Sequence, residues 1–483
     1  MKSNVNNGRE RTMHRTQRSW HSAWLRPILC AGLGMCSLIG PLACRNVLGV
    51  PVPAGAVDPG ALGGNAGADA QREGAIAAFA NAFDVQFSGL LTDEFTEYFL
   101  QGYQFTASTY FVDARNNDAT NTVGGVTGSY QFSDPIYTQL QQARVNAQLA
   151  KVALAGSTTA RAQGAVGEMF ALTGYTEVLL AEEFCSGVPV GEVLPGGGER
   201  HGTPLTTDSL LGRAVVDFDS ALAEGVGNDT VLNLARVGLG RALLDRGRSA
   251  AAAAAVATVP TGFTYAVFLP ALPQGTTLAN FYAQLAQPGG QFATVSDREG
   301  GTGLNFVSAR DPRMPIDSSL GPTVTGTTFY YPAKFPVGGA PPITLADWIE
   351  ARLIQAEGAL GSGDIPGWTA TLNGLRADSA DTHVSGLGGL TLDSTMTASA
   401  AEQVDVMFRE RAFWMYGTGH RLGDLRRLIR QYGRDPNTVF PTGPYPAGPL
   451  ESIIASYGTD VNFPIAAVEH ANPNFHGCLS RSA

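Results

Sequence analysis

The densest group of chemically capable side chains lies in residues 419–427, which read Gly-His-Arg-Leu-Gly-Asp-Leu-Arg-Arg. His420, Arg421 and Asp424 are spaced about one helical turn apart, so the start of a single helix brings an imidazole, a guanidinium and a carboxylate together. A catalytic His–Asp pair is one reading, but it needs a nucleophile, and no Gly-x-Ser-x-Gly pattern accompanies it. We therefore expect His420, Arg421, Asp424 and Arg426 to be structural, and we expect the chain not to be an enzyme.

Metal and cofactor motifs are missing from the sequence. The seven histidines include no His-x-x-x-His or His-Glu-x-x-His arrangement. A run of acidic and amide residues at 113–121 lacks the alternating ligands and closing Glu of a calcium loop. No Walker or dinucleotide-binding glycine pattern is present. The sequence predicts no metal site and no cofactor.

The composition is that of a folded chain with many turn-rich connections. Of 483 residues, 44% are hydrophobic and only 15% are charged, while Gly (59) and Pro (28) are plentiful. The formal net charge is −10, and no basic face of the kind that binds nucleic acid is visible.

The first 43 residues have the features of an export signal. Basic residues precede an apolar run at 27–43 that is too short to span a membrane and ends in small residues. Gly40-Pro41-Leu42-Ala43-Cys44 resembles a lipobox, with its Leu one place later than usual, so we expect Cys44 to be lipidated. Residues 44–70 are rich in Gly, Ala and Pro and predict a flexible tether.

The number and positions of the five cysteines are consistent with export. Cys30 and Cys36 lie in the predicted signal, and if Cys44 carries lipid, two cysteines remain. The remaining pair, Cys185 and Cys478, predicts a disulfide, because exported proteins pair their thiols.

The rest of the chain, 71–478, reads as a single domain with a short tail at 479–483. Apolar residues recur at helical spacing in paired segments, namely 71–100, 137–154, 158–184, 209–224 with 231–259, 344–359 with 365–376, and 402–416 with 420–432. Between them lie long Gly- and Pro-rich loops at 101–135, 186–207, 260–342, 378–399 and 433–463. We expect a mainly α fold of tetratricopeptide-like hairpins with a loop-rich lobe and little β structure.

Five segments together resemble the SusD/RagB family. They are Leu-Thr-Asp-Glu-Phe at 91–95, the Ala-rich helix 160–180 with Gly-Val-Pro at 187–189, the segment 345–357, the Arg-Glu-Arg to Gly-His-Arg segment 409–427, and Phe-Pro-Ile at 463–465 with Asn-Pro-Asn at 472–474. The segment 409–427 is the most specific match. Gly417-Thr418 replaces the family's acidic residue before Gly-His-Arg, and Ala466 replaces a Pro.

The resemblance implies a lipoprotein of the outer membrane that lies on the cell surface. Such proteins cap a TonB-dependent (SusC-like) transporter and pass it a nutrient, typically a glycan. Sugar rings stack on aromatic faces, and their hydroxyls need polar partners. The expected ligand residues in the early loop and in a later loop are Tyr110, Phe111, Asp113, Arg115, Asn116, Tyr130, Phe329, Tyr330 and Tyr331.

Two other functions fit parts of the sequence. A periplasmic or surface adaptor would bind peptides or proteins through the concave face of its helical hairpins. A secreted hydrolase would need the catalytic motif that the sequence lacks. The long aromatic loops favour the nutrient-binding interpretation over both.

Overall fold

The structure is a computed structural model. It describes residues 63–97, 107–117, 122–123, 126–127, 130–157, 162–194, 198–269, 281–285, 293–318, 328–335, 340–391, 397–445 and 454–483. The predicted signal peptide, Cys44 and the predicted tether as far as residue 62 lie outside these residues.

Helices make up most of the described chain. In chain order they are α1 (Gly64–Ala82), α2 (Gln86–Leu91), α3 (Ala107–Asp113), α4 (Tyr130–Ala155), α5 (Ala162–Glu183), α6 (Thr207–Glu224), α7 (Asp229–Asp245), α8 (Ser249–Ala255), α9 (Phe281–Leu285), α10 (Trp348–Gly361), α11 (Ile365–Ala377), α12 (Ser379–Thr382), α13 (Ala400–Trp414), α14 (Arg421–Arg430) and α15 (Pro436–Val439). Short 3-10 helices lie at Glu299–Gly301 and Ala467–Ala471.

Strands are short, and they pair only two at a time. They are β1 (Phe95–Glu97), β2 (Thr122–Val123), β3 (Val126–Thr127), β4 (Val188–Pro189), β5 (Glu192–Val193), β6 (Glu199–Arg200), β7 (Pro204–Leu205), β8 (Thr264–Val267), β9 (Ala293–Val295), β10 (Ile316–Asp317), β11 (Tyr331–Pro332) and β12 (Ile343–Asp347). The antiparallel pairs are β1–β9, β2–β3, β4–β7, β5–β6, β8–β12 and β10–β11. The predicted fold class, mainly α with little β, is confirmed.

Small residues let the helical hairpins approach closely. α5 packs against α4 and α6, α6 packs against α7, and α10 packs against α11. A Cβ on Gly167 of α5 would lie 2.6 Å from the backbone of Gly225, and one on Gly238 of α7 would lie 2.3 Å from the ring of Phe218. Side chains at these two positions would push the helices apart, so glycine is required there.

Side-chain caps set where several helices begin. Thr206 accepts a hydrogen bond from the Ser209 N–H at the start of α6, and Asp347 accepts one from the Glu350 N–H at the start of α10. Ser399 and Glu402 form a reciprocal capping box at the start of α13. Each cap satisfies a backbone donor that the first helical turn leaves unpaired.

Helix boundaries differ from the predicted ones where local side chains intervene. The predicted helix at 71–100 is two helices, because the Asp84 carboxylate accepts the N–H groups of residues 86–88 and starts α2. α1 begins at Gly64, inside the predicted tether 44–70, so any tether ends before Gly64. The predicted helix at 231–259 is divided into α7 and α8 at Gly247, whose φ is +72°.

One stretch of the described residues, Gly64–Leu91, has the length and mean hydropathy (1.2) of a membrane-crossing helix. However, 61% of the most apolar part of this stretch is buried within the fold. Phe79, for example, is 1% exposed and belongs to the main hydrophobic core. The stretch is therefore a core segment of this domain.

The C-terminal segment is fastened to the end of α5. Cys185 and Cys478 form the predicted disulfide, which joins positions 293 residues apart. Beside it, the Ser186 N–H donates to the Ser480 carbonyl at 3.0 Å, and the Leu479 N–H donates to the Ser186 carbonyl at 2.7 Å. The predicted tail at 479–483 thus begins as part of the fold.

Removing the disulfide should destabilise the protein. The Cys185→Ala/Cys478→Ala variant should lose about 2–5 kcal/mol of unfolding free energy, because the unfolded chain is no longer cross-linked over a long loop. Urea unfolding measures this difference. A reductant should lower the stability of the wild-type protein and leave the double variant unchanged; equal stability of oxidised and fully reduced wild type would contradict the prediction.

Candidate functional site

The Gly-His-Arg segment leads into α14 and is buried inside the protein. His420 is 2% exposed; its Nδ1 lies 2.9 Å from Thr418 Oγ1, and its Nε2 lies 3.0 Å from Arg241 Nη1 and 3.1 Å from Glu350 Oε1. Burial, followed by the positive charge of Arg241, lowers the pKa of His420. An imidazole enclosed in this way between neighbouring helices is closed to solvent.

Buried ion pairs surround this segment. Asp424 accepts from Arg411 Nε at 2.9 Å and from Arg427 Nη2 at 2.7 Å, and these two arginines hold its pKa well below the ordinary value against the effect of burial. Arg421 binds Asp93 through two hydrogen bonds of 2.7 and 3.0 Å. Further pairs of the same network are Arg241 with Glu182, and Arg427 with Glu357 and Asp245. We call this set the α14 network.

Arg426 has a different role at the same helix. Its guanidinium donates to the carbonyls of Ala181, Glu182 and Phe184, which end α5. It therefore satisfies carbonyl groups that the helix itself leaves unpaired. The side chains of His420, Arg421, Asp424 and Arg426 all make contacts within the fold, which is the kind of role that the sequence predicts for them.

Most of the predicted ligand residues are buried. Tyr110 and Phe111 belong to a small second core with Ala114, Tyr445, Ile454 and Tyr457. Asp113, Arg115, Phe329 and Tyr331 are also at most 4% exposed. In this structure these six side chains are buried and the aromatic groups pack against one another; that they bind a ligand stays a prediction. Asn116 and Tyr330 are partly exposed, and the side chain of Tyr130 lies outside the described residues.

Beneath this second core lies a pair of buried carboxyl groups. Asp113 accepts from the Tyr445 hydroxyl at 2.6 Å, and Glu299 accepts from the Tyr457 hydroxyl at 3.2 Å. The two carboxyl groups also influence each other's protonation. Burial raises the pKa of Asp113 to about 6, and burial together with the negative charge of Asp113 raises the pKa of Glu299 well above its ordinary value. We call Asp113 and Glu299 the carboxyl pair.

A cavity of about 310 Å³ opens between α13 and α14, and we call it the α13–α14 cavity. Its apolar wall consists of Leu304, Phe408, Leu425, Leu428 and Val439. Its polar groups are Thr302, Asp405, Arg409, Arg434 and Thr438, with Arg421 of the α14 network at its base. Apolar walls with a few fixed polar groups are typical of small-molecule sites.

The polar groups of the cavity are held by defined partners. Arg434 Nη2 donates to Asp405 Oδ1 and to the Ala401 carbonyl, each at 2.7 Å, and Arg409 Nη1 donates to Asn305 Oδ1 at 3.0 Å. The cavity therefore offers both donors and acceptors to a polar ligand. Among the described residues, no group of three or more His, Cys, Asp or Glu side chains is placed to hold a metal ion.

A second cavity, of about 190 Å³, lies between α4, the β5–β6 hairpin and the 3-10 helix Ala467–Ala471. Its central cation, Arg144, is only 2% exposed and donates to Gln141 Oε1 and to the Gly191 carbonyl. The larger cavity presents more accessible polar groups, so it is the better candidate for a ligand site.

Sequence reasoning missed most of this cavity. Arg409, Arg421 and Leu425 lie in the segment that carried the strongest resemblance, but the other lining residues come from separate stretches near 302–304, 405–408 and 428–439. No local spacing links these stretches, because only the tertiary fold brings them together.

No family profile and no curated protein sequence matches the chain. Solved structures do match it. A SusD superfamily protein from Bacteroides thetaiotaomicron aligns with a TM-score of 0.62 and 16% identity, over 86% of this chain and 99% of that one. A laminarin-binding SusD-like protein aligns at 0.59 and 14%, over 86% and 100%. Surface glycan-binding protein A from Bacteroides uniformis aligns at 0.57 and 14%, over 85% and 99%. Likeness at such low identity is likeness of fold.

The buried carboxyl groups predict that stability falls as pH rises. A raised carboxyl pKa contributes stability that is complete below its unfolded value, near 4, and lost as pH rises through the folded value. Burial raises the pKa of Asp113 to about 6 and the pKa values of Glu94 and Asp347 to about 7. Urea unfolding should therefore give a lower unfolding free energy at pH 8.5 than at pH 5.

The carboxyl pair allows a matched test of this trend. Glu299→Gln removes a buried titrating carboxyl group and its negative charge beside Asp113, so it should reduce the loss of stability between pH 5 and 8.5. Asp219→Asn, at an exposed position of α6, should leave the wild-type slope unchanged. A wild-type stability that is flat or rises over this interval would show that these carboxyl groups do not govern it.

Proposed function

Because the chain has the SusD fold, we propose that it is a cell-surface glycan-binding protein that delivers its ligand to a TonB-dependent outer-membrane transporter. The observation that carries the proposal is the extent of the shared fold. Structures described as a laminarin-binding SusD-like protein and as a surface glycan-binding protein each align with about 85% of this chain and nearly all of their own length. The whole architecture, and not one isolated motif, is therefore common to them.

The α13–α14 cavity is our proposed ligand site. Leu425, Leu428 and Val439 offer an apolar surface to a sugar ring, while Arg434 and Asp405 offer a donor and an acceptor to its hydroxyls. Its volume of about 310 Å³ suits one or two sugar units and not a long chain. Among the described residues that line it, the cavity holds no Ser or Cys nucleophile beside a base, and we propose binding without catalysis.

Export and anchoring are supported by the sequence and by the disulfide. A basic and apolar leader precedes Cys44, the proposed lipid attachment point. The bond between Cys185 and Cys478 requires an oxidising compartment. We therefore place the protein outside the inner membrane, attached to the outer membrane by lipid and facing the cell exterior.

Changing the cavity rim should weaken glycan binding. Arg434→Gln should reduce the affinity for a cognate glycan at least tenfold, because a charged hydrogen-bond donor to the ligand is lost. Calorimetric titration with a panel of purified soluble glycans, laminarin included, identifies the ligand and measures the change. The unfolding free energy should fall by less than about 1 kcal/mol, because Arg434 and its partner Asp405 are partly exposed.

Arg246→Gln is the matched control for this variant. Arg246 also pairs with a largely exposed aspartate, Asp208, but it lies at the end of α7 and outside the cavity. Its removal should leave glycan affinity unchanged. If peptides bind where every glycan fails, the peptide-adaptor function replaces the proposed one.

Purification from the native outer membrane tests the partner. The full-length protein should co-purify with a large β-barrel transporter, and intact mass should show a mature chain that begins at a lipidated Cys44. The starting material is solubilised membrane from cells in which this chain carries an affinity tag. Recovery of only a free, non-lipidated monomer from the periplasm would refute both the anchor and the transporter association.

A further inference from the structure

Three guanidinium groups line the α13–α14 cavity, and two of them are neutralised. Arg421 is paired with Asp93 through two hydrogen bonds, and Arg434 is paired with Asp405 at 2.7 Å. Their positive charges are therefore balanced within the protein. The third group, Arg409, has a different environment.

Arg409 forms no ion pair with any residue in the part of the chain that the structure describes. Its one side-chain hydrogen bond goes to the amide oxygen of Asn305, at 3.0 Å, which satisfies a donor but leaves the charge unbalanced. The side chain is half-buried. Burial, and next the positive charge of nearby Arg313, lower the pKa of Arg409. The carboxylates of Asp311 and Glu410 act in the opposite direction, but they are already hydrogen-bonded to Arg313 and Arg376.

The position of Arg409 is fixed before any ligand arrives. Its guanidinium carbon lies 4.6 Å from the centre of the Phe413 ring, so the group stacks on that ring and is also held by Asn305. A planar guanidinium held in this way presents its remaining N–H groups in a geometry that suits the two oxygens of a carboxylate. Preorganisation reduces the entropy lost when such a ligand binds.

We propose that the α13–α14 cavity selects a sugar that carries a carboxylate, a uronic acid, and that Arg409 sets this preference. The identification of the anion as part of a sugar rests on the proposed function; the unbalanced guanidinium does not. The chain as a whole is acidic, with a formal net charge of −10. Distant charges are screened beyond about 10 Å at 0.1 M salt, so the group in contact with the ligand determines the selectivity.

Pairs of sugars that differ in one functional group test the proposal. The probes are D-glucuronate with D-glucose, and D-galacturonate with D-galactose, titrated into the full-length mature protein and followed by ligand-observed NMR. At least one acidic sugar should bind tenfold or more tightly than its neutral partner at low salt. The difference should shrink in 0.5 M NaCl, because the contact is electrostatic.

Three variants locate the effect. Arg409→Gln should reduce affinity for the acidic sugar to that for the neutral one, whereas Arg409→Lys should keep part of the preference because it keeps the charge. Arg246→Gln, outside the cavity, should behave as wild type. Circular dichroism and urea unfolding check that each variant is folded.

Several outcomes would overturn the proposal. They are an acidic sugar that binds no more tightly than its neutral partner, a preference that survives Arg409→Gln, and free acetate that binds as tightly as the uronate. If neutral glycans bind through Arg434 while no acidic preference exists, this inference fails and the proposed function stands. If uronates bind through Arg409 while no oligosaccharide or polysaccharide binds, the carboxylate site stands and the proposed function fails.

Discussion

The α14 network is the constraint on which the rest of the structure depends. Asp424 is bound by Arg411 and Arg427, Arg427 reaches Glu357 of α10, and Arg421 reaches Asp93. Isolated charges inside a protein are very costly, and buried pairs are tolerated only when their hydrogen bonds are well made. These helices can therefore pack in only one arrangement without leaving a charge unpaired.

The network also joins the helical hairpins to the loop-rich lobe and forms the base of the cavity. The backbone N–H of Leu304, on the cavity wall, donates to the same Asp93 that neutralises Arg421, and the Gly417 N–H donates to Glu94. The cavity lies beside this junction, where the side chains of Arg409 and Arg434 are partly exposed. Because the α14 network beside the cavity is rigid, the polar groups of the cavity are kept in defined positions.

The sequence predicted the fold well because the five segments that carry the resemblance are those that meet at α14. Asp93, Glu350 and Arg421 come from three of them, Glu182 follows the second along α5, and Phe463 of the fifth pairs with the end of α5 beside Cys185. The burial of the expected ligand residues could not be predicted from the sequence. Tyr110 and Phe111 are aromatic residues of the kind on which sugar rings stack. Their sequence context does not show that Tyr445 and Tyr457, more than 300 positions away, pack against them. The cavity itself is assembled from distant stretches and has no signature in any one of them.

The central claim is that the chemically richest segment of the chain is a structural junction and that function lies in the cavity beside it. Measuring the unfolding free energy of Asp424→Asn tests this most directly. Asp424→Asn removes the negative charge that Arg411 and Arg427 share in the interior, so this variant should lose about 3–5 kcal/mol of unfolding free energy. Asp405→Asn, at the exposed rim pair, should lose less than about 1 kcal/mol of unfolding free energy. An Asp424→Asn protein as stable as wild type would contradict the claim and would reopen the His420–Asp424 pair as a reactive site.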